Sequence, residues 1–174
     1  HARGGRNSEG VRGAGGKQLM FEKLTLVGIG LIGSSIARAV KLKGLAKTIA
    51  ITTRKSATLE EARSLGLGDI YTLDAAEAVE GADLVILCTP VGVYADVMQQ
   101  IRGQLAPGAI LSDVGSVKGQ VMKALEPLMP QGVHFIPGHP IAGTEHSGPS
   151  AGFPDLFVGR WCVLTPKPEV DPVA

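Results

Sequence analysis

Short runs of apolar residues alternate along this chain with segments in which apolar residues recur at helical spacing. The first run, LTLVGIG at 24–30, has strand length and ends in a glycine turn. A helical pattern follows over 32–44, with Ile36, Val40 and Leu42 on its apolar side. The alternation then continues with strands predicted at 48–53, 83–90, 109–115, 133–140 and 160–166, and helices at 56–68, 74–82, 93–105 and 118–129. In the helix at 56–68, Leu59, Ala62 and Leu65 form the apolar side.

Strands that alternate with helices of ten to fifteen residues are typical of βαβ units and a parallel sheet. The run DLVILCTP at 83–90 is apolar enough to be buried on both faces, as strands of parallel sheets are. We therefore expect an α/β fold with a doubly wound, mainly parallel sheet.

The turn after the first strand carries the pattern GIGLIG. In a strand–turn–helix context the first glycine allows a tight turn, the second lets the backbone approach a pyrophosphate, and the third lets the helix pack closely. The helix N-terminus offers unpaired N–H groups to the anion. We expect a Rossmann-type dinucleotide-binding domain in which Gly28, Gly30, Leu31, Ile32 and Gly33 contact the cofactor; the alternative is a glycine-rich turn without function.

The end of the second strand decides which dinucleotide is expected. It reads TTRKS and has no carboxylate, whereas NAD sites usually carry an acid here for the ribose hydroxyls. Thr53, Arg54 and Lys55 offer a hydroxyl and two cations, which suit a 2′-phosphate. We predict NADP, with NAD as the alternative if Arg54 only stacks on adenine. Thr89 and Pro90, after a later strand, are expected to complete the cofactor site.

Polar loops follow the carboxyl ends of three predicted strands, where ligands bind in open α/β sheets. They read CTPVGVY, SDVGSVKG and GHPIAGTEHSG. We expect them to bring Thr89, Ser116, Lys118 and His139 around one spot near the cofactor. Each residue alone is unremarkable: Asp113 equally suits a strand-end cap, and Lys118 an ordinary first helical turn.

Four motifs in order, VGIGLIGSSIA, LVILCTPV, SDVGSVKG and GHPIAGTEHSGP, followed by LFVGRWCVLTP, resemble the cofactor domain of the prephenate/arogenate dehydrogenase family. The resemblance covers about 24–166. It implies NAD(P)-dependent oxidative decarboxylation of prephenate or arogenate in tyrosine biosynthesis, with hydride passing from the ring carbinol carbon to nicotinamide. It also implies a helical dimerisation domain after the cofactor domain, and hence a homodimer.

The same resemblance implies roles for four residues. His139 would accept the proton of the ring hydroxyl and Ser116 would assist the same hydroxyl, while Thr144 and Glu145 would line the substrate pocket. A neutral imidazole near pH 7 suits such proton removal.

A metal site is not expected. His139 and His146 are seven positions apart, which is not the spacing of helical zinc sites, and neither cysteine is near in sequence. His146 better suits a surface or loop-ordering role, and His134 a structural one within a strand.

Composition and net charge limit the classes of binding partner that are expected. Seventeen basic and 16 acidic residues give a net charge of +1, so no strong field favours nucleic acid or an anionic membrane, and a small-molecule substrate is expected. No apolar run approaches the roughly 20 residues of a membrane span. Cys88 and Cys162 lie in apolar runs and are expected to be buried strand thiols, which fits a reducing cytoplasm.

The chain is expected to comprise a Gly/Arg-rich disordered extension at 1–19, the dinucleotide-binding domain at 20–166, and at 167–174 the start of a linker to an absent helical domain. Two rival functions remain. One is another NADP-dependent enzyme of the β-hydroxyacid dehydrogenase or imine reductase type, whose catalytic group typically lies in a later helical domain. The other is a non-catalytic nucleotide-sensing module.

Overall fold

The computed structural model describes residues 19–170 and 172. Six strands form one sheet and two more form a small second sheet. The strands are β1 Phe21–Val27, β2 Ala46–Thr52, β3 Ile70–Thr72, β4 Leu84–Leu87, β5 Ile110–Asp113, β6 His134–Ile136, β7 Gly138–Pro140 and β8 Cys162–Leu164. The helices are α1 Leu31–Lys43, α2 Ser56–Ser64, α3 Ala75–Val79, α4 Tyr94–Ile101 and α5 Lys118–Leu125.

The larger sheet is parallel throughout and has the strand order β3-β2-β1-β4-β5-β6. The chain therefore winds outward from β1 in one direction and then, beginning with β4, in the other. This order confirms the predicted doubly wound fold. The carboxyl ends of β1 and β4 lie side by side at the point of reversal, where such sheets bind ligands.

Two apolar clusters cover the two faces of this sheet. On one face Val79 of α3, Met98 of α4 and Leu125 of α5 are buried together. On the other, Ala37 of α1 and Leu59 of α2 pack with residues of β1 and β2. The core is largely aliphatic, in keeping with the 4% aromatic content of the chain.

The structure differs from the sequence prediction in three strands. β3 was not predicted, because a three-residue strand at a sheet edge carries too little apolar pattern. The segment predicted as one strand at 133–140 is divided into β6 and β7 at Pro137, which has no N–H for a ladder. The final strand does not join the large sheet: β8 pairs antiparallel with β7.

Three predicted burials are wrong. Leu42 is 62% exposed, because it follows Val40 by two positions and so lies about 200° around the helix. Leu65 is 39% exposed and lies just beyond α2, which ends before Gly66 in a left-handed conformation. Cys162 is exposed, since β8 belongs to a two-stranded sheet with little cover.

The predicted termini are only partly visible. The extension at 1–19 falls outside the described residues except for Leu19. In the predicted linker, Lys167 forms an ion pair of 3.0 Å with Glu126. Among the described residues, no helix combines the length and apolar character needed to cross a bilayer.

Candidate dinucleotide and catalytic site

The glycine turn is fixed by close backbone contacts. Gly28 has φ +97°, and a Cβ there would lie 2.8 Å from the carbonyl carbon of Cys88 and 2.9 Å from the Thr89 nitrogen. A Cβ on Gly33 would lie 2.6 Å from the Gly28 oxygen. These two glycines are therefore required by packing within the protein itself, before any ligand is considered.

Gly30 differs from both. It is the N-cap of α1, and no described atom lies within 4 Å of the position that a Cβ would take. No described side chain caps the first turn, where Leu31 and Ile32 are half-buried. The first-turn N–H groups thus border open space, which is the arrangement that anion-binding helix termini use.

A cleft of about 490 Å³ runs along this turn. It brings together seven of the predicted cofactor residues, and it adds others that the sequence did not indicate, from the ends of β1 and β4, from α2 and from a later loop. The predicted residues are Gly28, Gly30, Thr53, Arg54, Lys55, Thr89 and Pro90; the additional ones are Ile29, Thr58, Glu61, Cys88, Gly148 and Pro149.

Thr89 leaves an unmet hydrogen-bonding capacity in this cleft. Its Oγ1 is buried and has no hydrogen-bond partner among the described residues. Buried hydroxyls in folded proteins nearly always have a partner, so an orphan calls for an explanation such as a ligand. A polar group in the cleft beside Thr89 would supply one.

Charges of both signs face the end of the cleft at β2. Arg54 and Lys55 are exposed there, and Thr53 is half-buried beside them. Glu61, one turn before the end of α2, also lines the cleft. Sequence reasoning missed Glu61 because it considered only residues at the end of β2, whereas the following helix returns to the same cleft.

Cys88 lines the cleft, but its thiol is not expected to be reactive at neutral pH. Burial raises the pKa of its thiol from 9.0 to about 12, and the Asp113 carboxylate adds to the rise. Because a thiolate is the reactive form of cysteine, this residue is protonated and unreactive at neutral pH. Burial, together with the charge of Asp113, likewise raises the pKa of the Tyr94 hydroxyl.

A distant loop forms one wall of the cleft and is fastened to α1. Arg38 donates through Nε to the Gly152 carbonyl at 2.9 Å and through Nη2 to the Pro149 carbonyl at 3.3 Å. The Phe153 N–H donates to Ser35 Oγ at 3.1 Å. These contacts span more than 110 residues of chain, so no local pattern could have indicated them.

The predicted catalytic end is organised around Asp113, at the end of β5. Its side chain is fully buried and accepts the N–H of Gly115 at 2.8 Å and the N–H of Gly138 at 3.1 Å. These glycines immediately precede Ser116 and His139. The two predicted catalytic residues therefore each follow a peptide that is held by one carboxylate.

Lys118 lies between Asp113 and the peptide that precedes His139. Its ammonium lies 2.5 Å from Asp113 Oδ2 and 2.5 Å from the Gly138 carbonyl. Asp113 does cap the end of β5 by accepting the Gly115 N–H, and Lys118 does lie in the first turn of α5. In addition, the two side chains form a largely buried ion pair that joins β5, α5 and β7.

The remaining predicted substrate residues are more exposed. His139 is half-buried in β7 opposite Val163 of β8, and Ser116 is exposed. Thr144 and Glu145 are exposed, and Thr144 Oγ1 accepts the His146 N–H at 3.2 Å. All four predicted residues lie outside the described lining of the dinucleotide cleft, yet the segment 141–148 joins β7 to Gly148, which lines it.

The described residues contain no group of three or more His, Cys, Asp and Glu side chains arranged to hold a metal ion. The expectation that no metal is used stays a prediction.

Comparison with known proteins identifies the family. Residues 36–174 match the family described as prephenate dehydrogenase, nucleotide-binding domain. The chain belongs to this family. The match agrees with the resemblance carried by the four sequence motifs.

Among curated proteins, the cyclohexadienyl dehydrogenase of Zymomonas mobilis is 41% identical over 147 residues, which are 84% of this chain and 50% of that protein. The prephenate dehydrogenase of Bacillus subtilis is 31% identical over 153 residues, which are 87% of this chain and 41% of that protein. The chain thus spans about half the length, or less, of these relatives.

Solved structures give the same answer for the fold. The prephenate dehydrogenase of Aquifex aeolicus in complex with hydroxyphenyl propionate and NAD+ has a TM-score of 0.78 and 30% identity, covering 86% of this chain and 52% of that one. Synechocystis arogenate dehydrogenase has a TM-score of 0.74 and 30% identity, covering 87% and 52%.

Proposed function

We propose that this chain is the nicotinamide-dinucleotide-binding part of an oxidoreductase that oxidises and decarboxylates prephenate, arogenate or both. The observation that carries the proposal is that the glycine turn follows β1 and Asp113 ends β5, so that both lie at the carboxyl edge of the sheet on either side of β4. Asp113 there binds the two peptides that precede Ser116 and His139. Family membership supports it, as do relatives named prephenate and arogenate dehydrogenase.

The cleft fits a dinucleotide on this chain's own features. Open space at Gly30 leaves room for a pyrophosphate against the start of α1, and the orphan hydroxyl of Thr89 offers a hydrogen bond deeper in the cleft. When bound, the nicotinamide supplies the hydride acceptor. Thr53, Arg54 and Lys55 would hold the adenosine end.

The reacting group is a ring hydroxyl, and His139 is the proposed base. Its imidazole accepts the hydrogen bond of that hydroxyl and takes the proton as the carbinol carbon loses hydride. Ser116 hydrogen-bonds the same oxygen. The bond from the ring to its carboxylate then breaks, CO2 leaves, and the electron pair completes an aromatic ring, whose oxygen takes the proton back from His139 as a phenol hydroxyl. Thr144 and Glu145 would contact the substrate from segment 141–148.

For the cofactor we propose NADP over NAD. Arg54 and Lys55 suit a 2′-phosphate, whereas Glu61 opposes it and suits ribose hydroxyls. The Aquifex relative is described with NAD+, so both cofactors need direct measurement.

The cofactor preference is tested by calorimetric titration of this chain with NADP and with NAD. We expect NADP to bind tighter and Arg54→Ala to remove the difference, while Arg102→Ala, an exposed arginine beyond α4, leaves it intact. Equal or tighter binding of NAD would refute the NADP preference without affecting the dehydrogenase proposal.

The activity is tested in the complete protein with prephenate and with arogenate. His139→Asn should lower the rate of hydride transfer by about 10² to 10⁴-fold, the usual contribution of a general base, with dinucleotide affinity retained. His146→Asn, an exposed histidine in the same segment, serves as the control.

The rivals give different results in this experiment. An enzyme of the β-hydroxyacid dehydrogenase or imine reductase type would keep its activity in His139→Asn. A nucleotide-sensing module would bind the dinucleotide and oxidise neither compound.

The remaining expectations belong to the same proposal. They are a homodimer formed through a helical domain outside this chain, a small-molecule substrate without nucleic acid or membrane partners, and a cytoplasmic location. Equilibrium sedimentation of the complete protein would test the dimer.

A further inference from the structure

Gly138, the residue before His139, is held at both of its backbone polar groups. Its N–H donates to Asp113 Oδ1 at 3.1 Å, and its carbonyl accepts a hydrogen bond from Lys118 Nζ at 2.5 Å. The Asp113 and Lys118 side chains meet each other at 2.5 Å. The Asp113–Lys118 ion pair thus hydrogen-bonds both backbone polar groups of Gly138.

These contacts lie in a tightly packed and largely buried place. The Asp113 side chain is fully buried and that of Lys118 is 18% exposed. A Cβ on Gly138 would lie 2.8 Å from the Asp113 carbonyl oxygen, so β7 approaches the end of β5 as closely as a backbone can. Hydrogen bonds that involve charged groups in such surroundings are short and directional, so the backbone at Gly138 has little conformational freedom.

The same carboxylate also fixes the other proposed catalytic residue. Asp113 Oδ2 accepts the Gly115 N–H at 2.8 Å, one residue before Ser116, and a Cβ on Gly115 would approach that oxygen to 3.0 Å. Tyr94 adds a hydroxyl at 3.4 Å from the same atom. Asp113 therefore sets the backbone on which both side chains stand.

We propose that Asp113 and Lys118 are positioning residues whose ion pair sets the backbone before His139 and Ser116, and so aligns both side chains on the substrate hydroxyl. This inference rests on the proposed function. Lys118 acts through the Gly138 carbonyl and does not bind the substrate. Its ammonium has three donors, and two of them are already directed at protein oxygens.

Kinetics of Lys118→Met in the complete protein test the proposal. A displacement of about 1 Å in a catalytic group can cost roughly 100-fold in rate, so kcat should fall by about that factor. The KM for the ring substrate and the affinity for the dinucleotide should change little, because a positioning residue contacts neither ligand, and Lys118 does not line the described dinucleotide cleft. Lys123→Met, an exposed lysine on the same helix, should behave as wild type.

Amide hydrogen exchange on this chain gives a second, direct readout. Gly138 should exchange faster in Lys118→Met than in Lys123→Met, while the amides of β1 and β2 keep their protection. Unchanged exchange at Gly138 would show that the ammonium does not hold this peptide and would overturn the proposal.

The single variant leaves Asp113 buried without its cation, which can prevent folding. The double variant Asp113→Asn with Lys118→Met removes both charges, and the asparagine oxygen can still accept one of the two glycine N–H groups. It should fold, bind the dinucleotide and still lose kcat. Normal kcat in this variant would overturn the proposal.

Other outcomes separate this inference from the proposed function. If the KM for the ring substrate rises and kcat is unchanged, Lys118 binds substrate and is not a positioning residue. If the wild-type protein oxidises neither prephenate nor arogenate, the proposed function fails first. In that case the exchange rate of the Gly138 amide alone tests whether Lys118 holds this peptide.

Discussion

The glycine turn at 28–33 and the segment around His139 are built in different ways. The turn is a contiguous stretch whose glycines meet the backbone of the next strand of the sheet, at Cys88 and Thr89. The His139 segment is held by side chains from β5 and α5 and by pairing with β8, more than 20 residues later. The glycine turn is recognisable within one contiguous motif, although its fit depends on Cys88 and Thr89, whereas the His139 segment is held by side chains and a strand from separate segments.

The two regions also differ in the forces that hold them. Steric fit dominates at the turn, where glycines touch backbone atoms and no charge is involved. At the catalytic end a buried carboxylate and an ammonium are matched by several hydrogen bonds. Changes of size should therefore damage the first region, and changes of charge the second.

Gly28→Ala should have the largest effect on the turn. The new methyl would meet the Cys88 carbonyl carbon at 2.8 Å, and alanine at φ +97° is strained. Strain and overpacking together should lower the free energy of unfolding by about 3 kcal/mol and abolish dinucleotide binding. Urea unfolding and calorimetry of this chain measure both.

Gly30→Ala is the matched variant. Because no described atom lies within 4 Å of its Cβ position, stability should stay within about 0.5 kcal/mol of wild type. Dinucleotide affinity should still fall, since the methyl would occupy the path of the pyrophosphate. Full affinity in Gly30→Ala would contradict the proposed placement of the ligand.

This difference explains how far the sequence alone could lead. The doubly wound sheet and the glycine turn follow from patterns within about 30 residues, so both were predicted. Glu61 and Pro149 reach the cleft through tertiary packing and were missed. The hydrogen bond from Lys118 to the Gly138 carbonyl was also missed, because only the folded chain shows that strands β5 and β7 approach so closely.

Arg38→Met tests whether the wall of the cleft formed by the loop around Pro149 contributes to dinucleotide affinity at the glycine turn. The variant loses the hydrogen bonds to the Pro149 and Gly152 carbonyls, which should cost about 1–2 kcal/mol of stability. Exchange of the Phe153 amide should accelerate, and dinucleotide affinity should fall several-fold because the wall loosens. Lys43→Met, exposed on the same helix, is the control; equal affinity in both variants would show that the wall does not contribute.

The smallest expected effects concern the two cysteines, whose reactivity toward alkylation should differ. Cys162 is exposed and should react with iodoacetamide in the native chain at pH 8, whereas Cys88 should react only after unfolding. Mass spectrometry of the alkylated peptides distinguishes them. Rapid native labelling of Cys88 would mean that the cleft opens readily at this residue.

The raised pKa of Cys88 also predicts a dependence of stability on pH. The folded thiol keeps its proton up to about pH 12, while the unfolded thiol releases it above 9.0, so stability is intact below pH 9 and declines as the pH rises toward 12. The slope should be on the order of 1 kcal/mol per pH unit at most. Burial also raises the pKa of Tyr94, so that residue adds to the loss above its ordinary value of 10.0. The difference between wild type and Cys88→Ala from pH 9 to 10 therefore isolates the thiol, and equal slopes would mean that Cys88 is more hydrated than its position beneath the glycine turn implies.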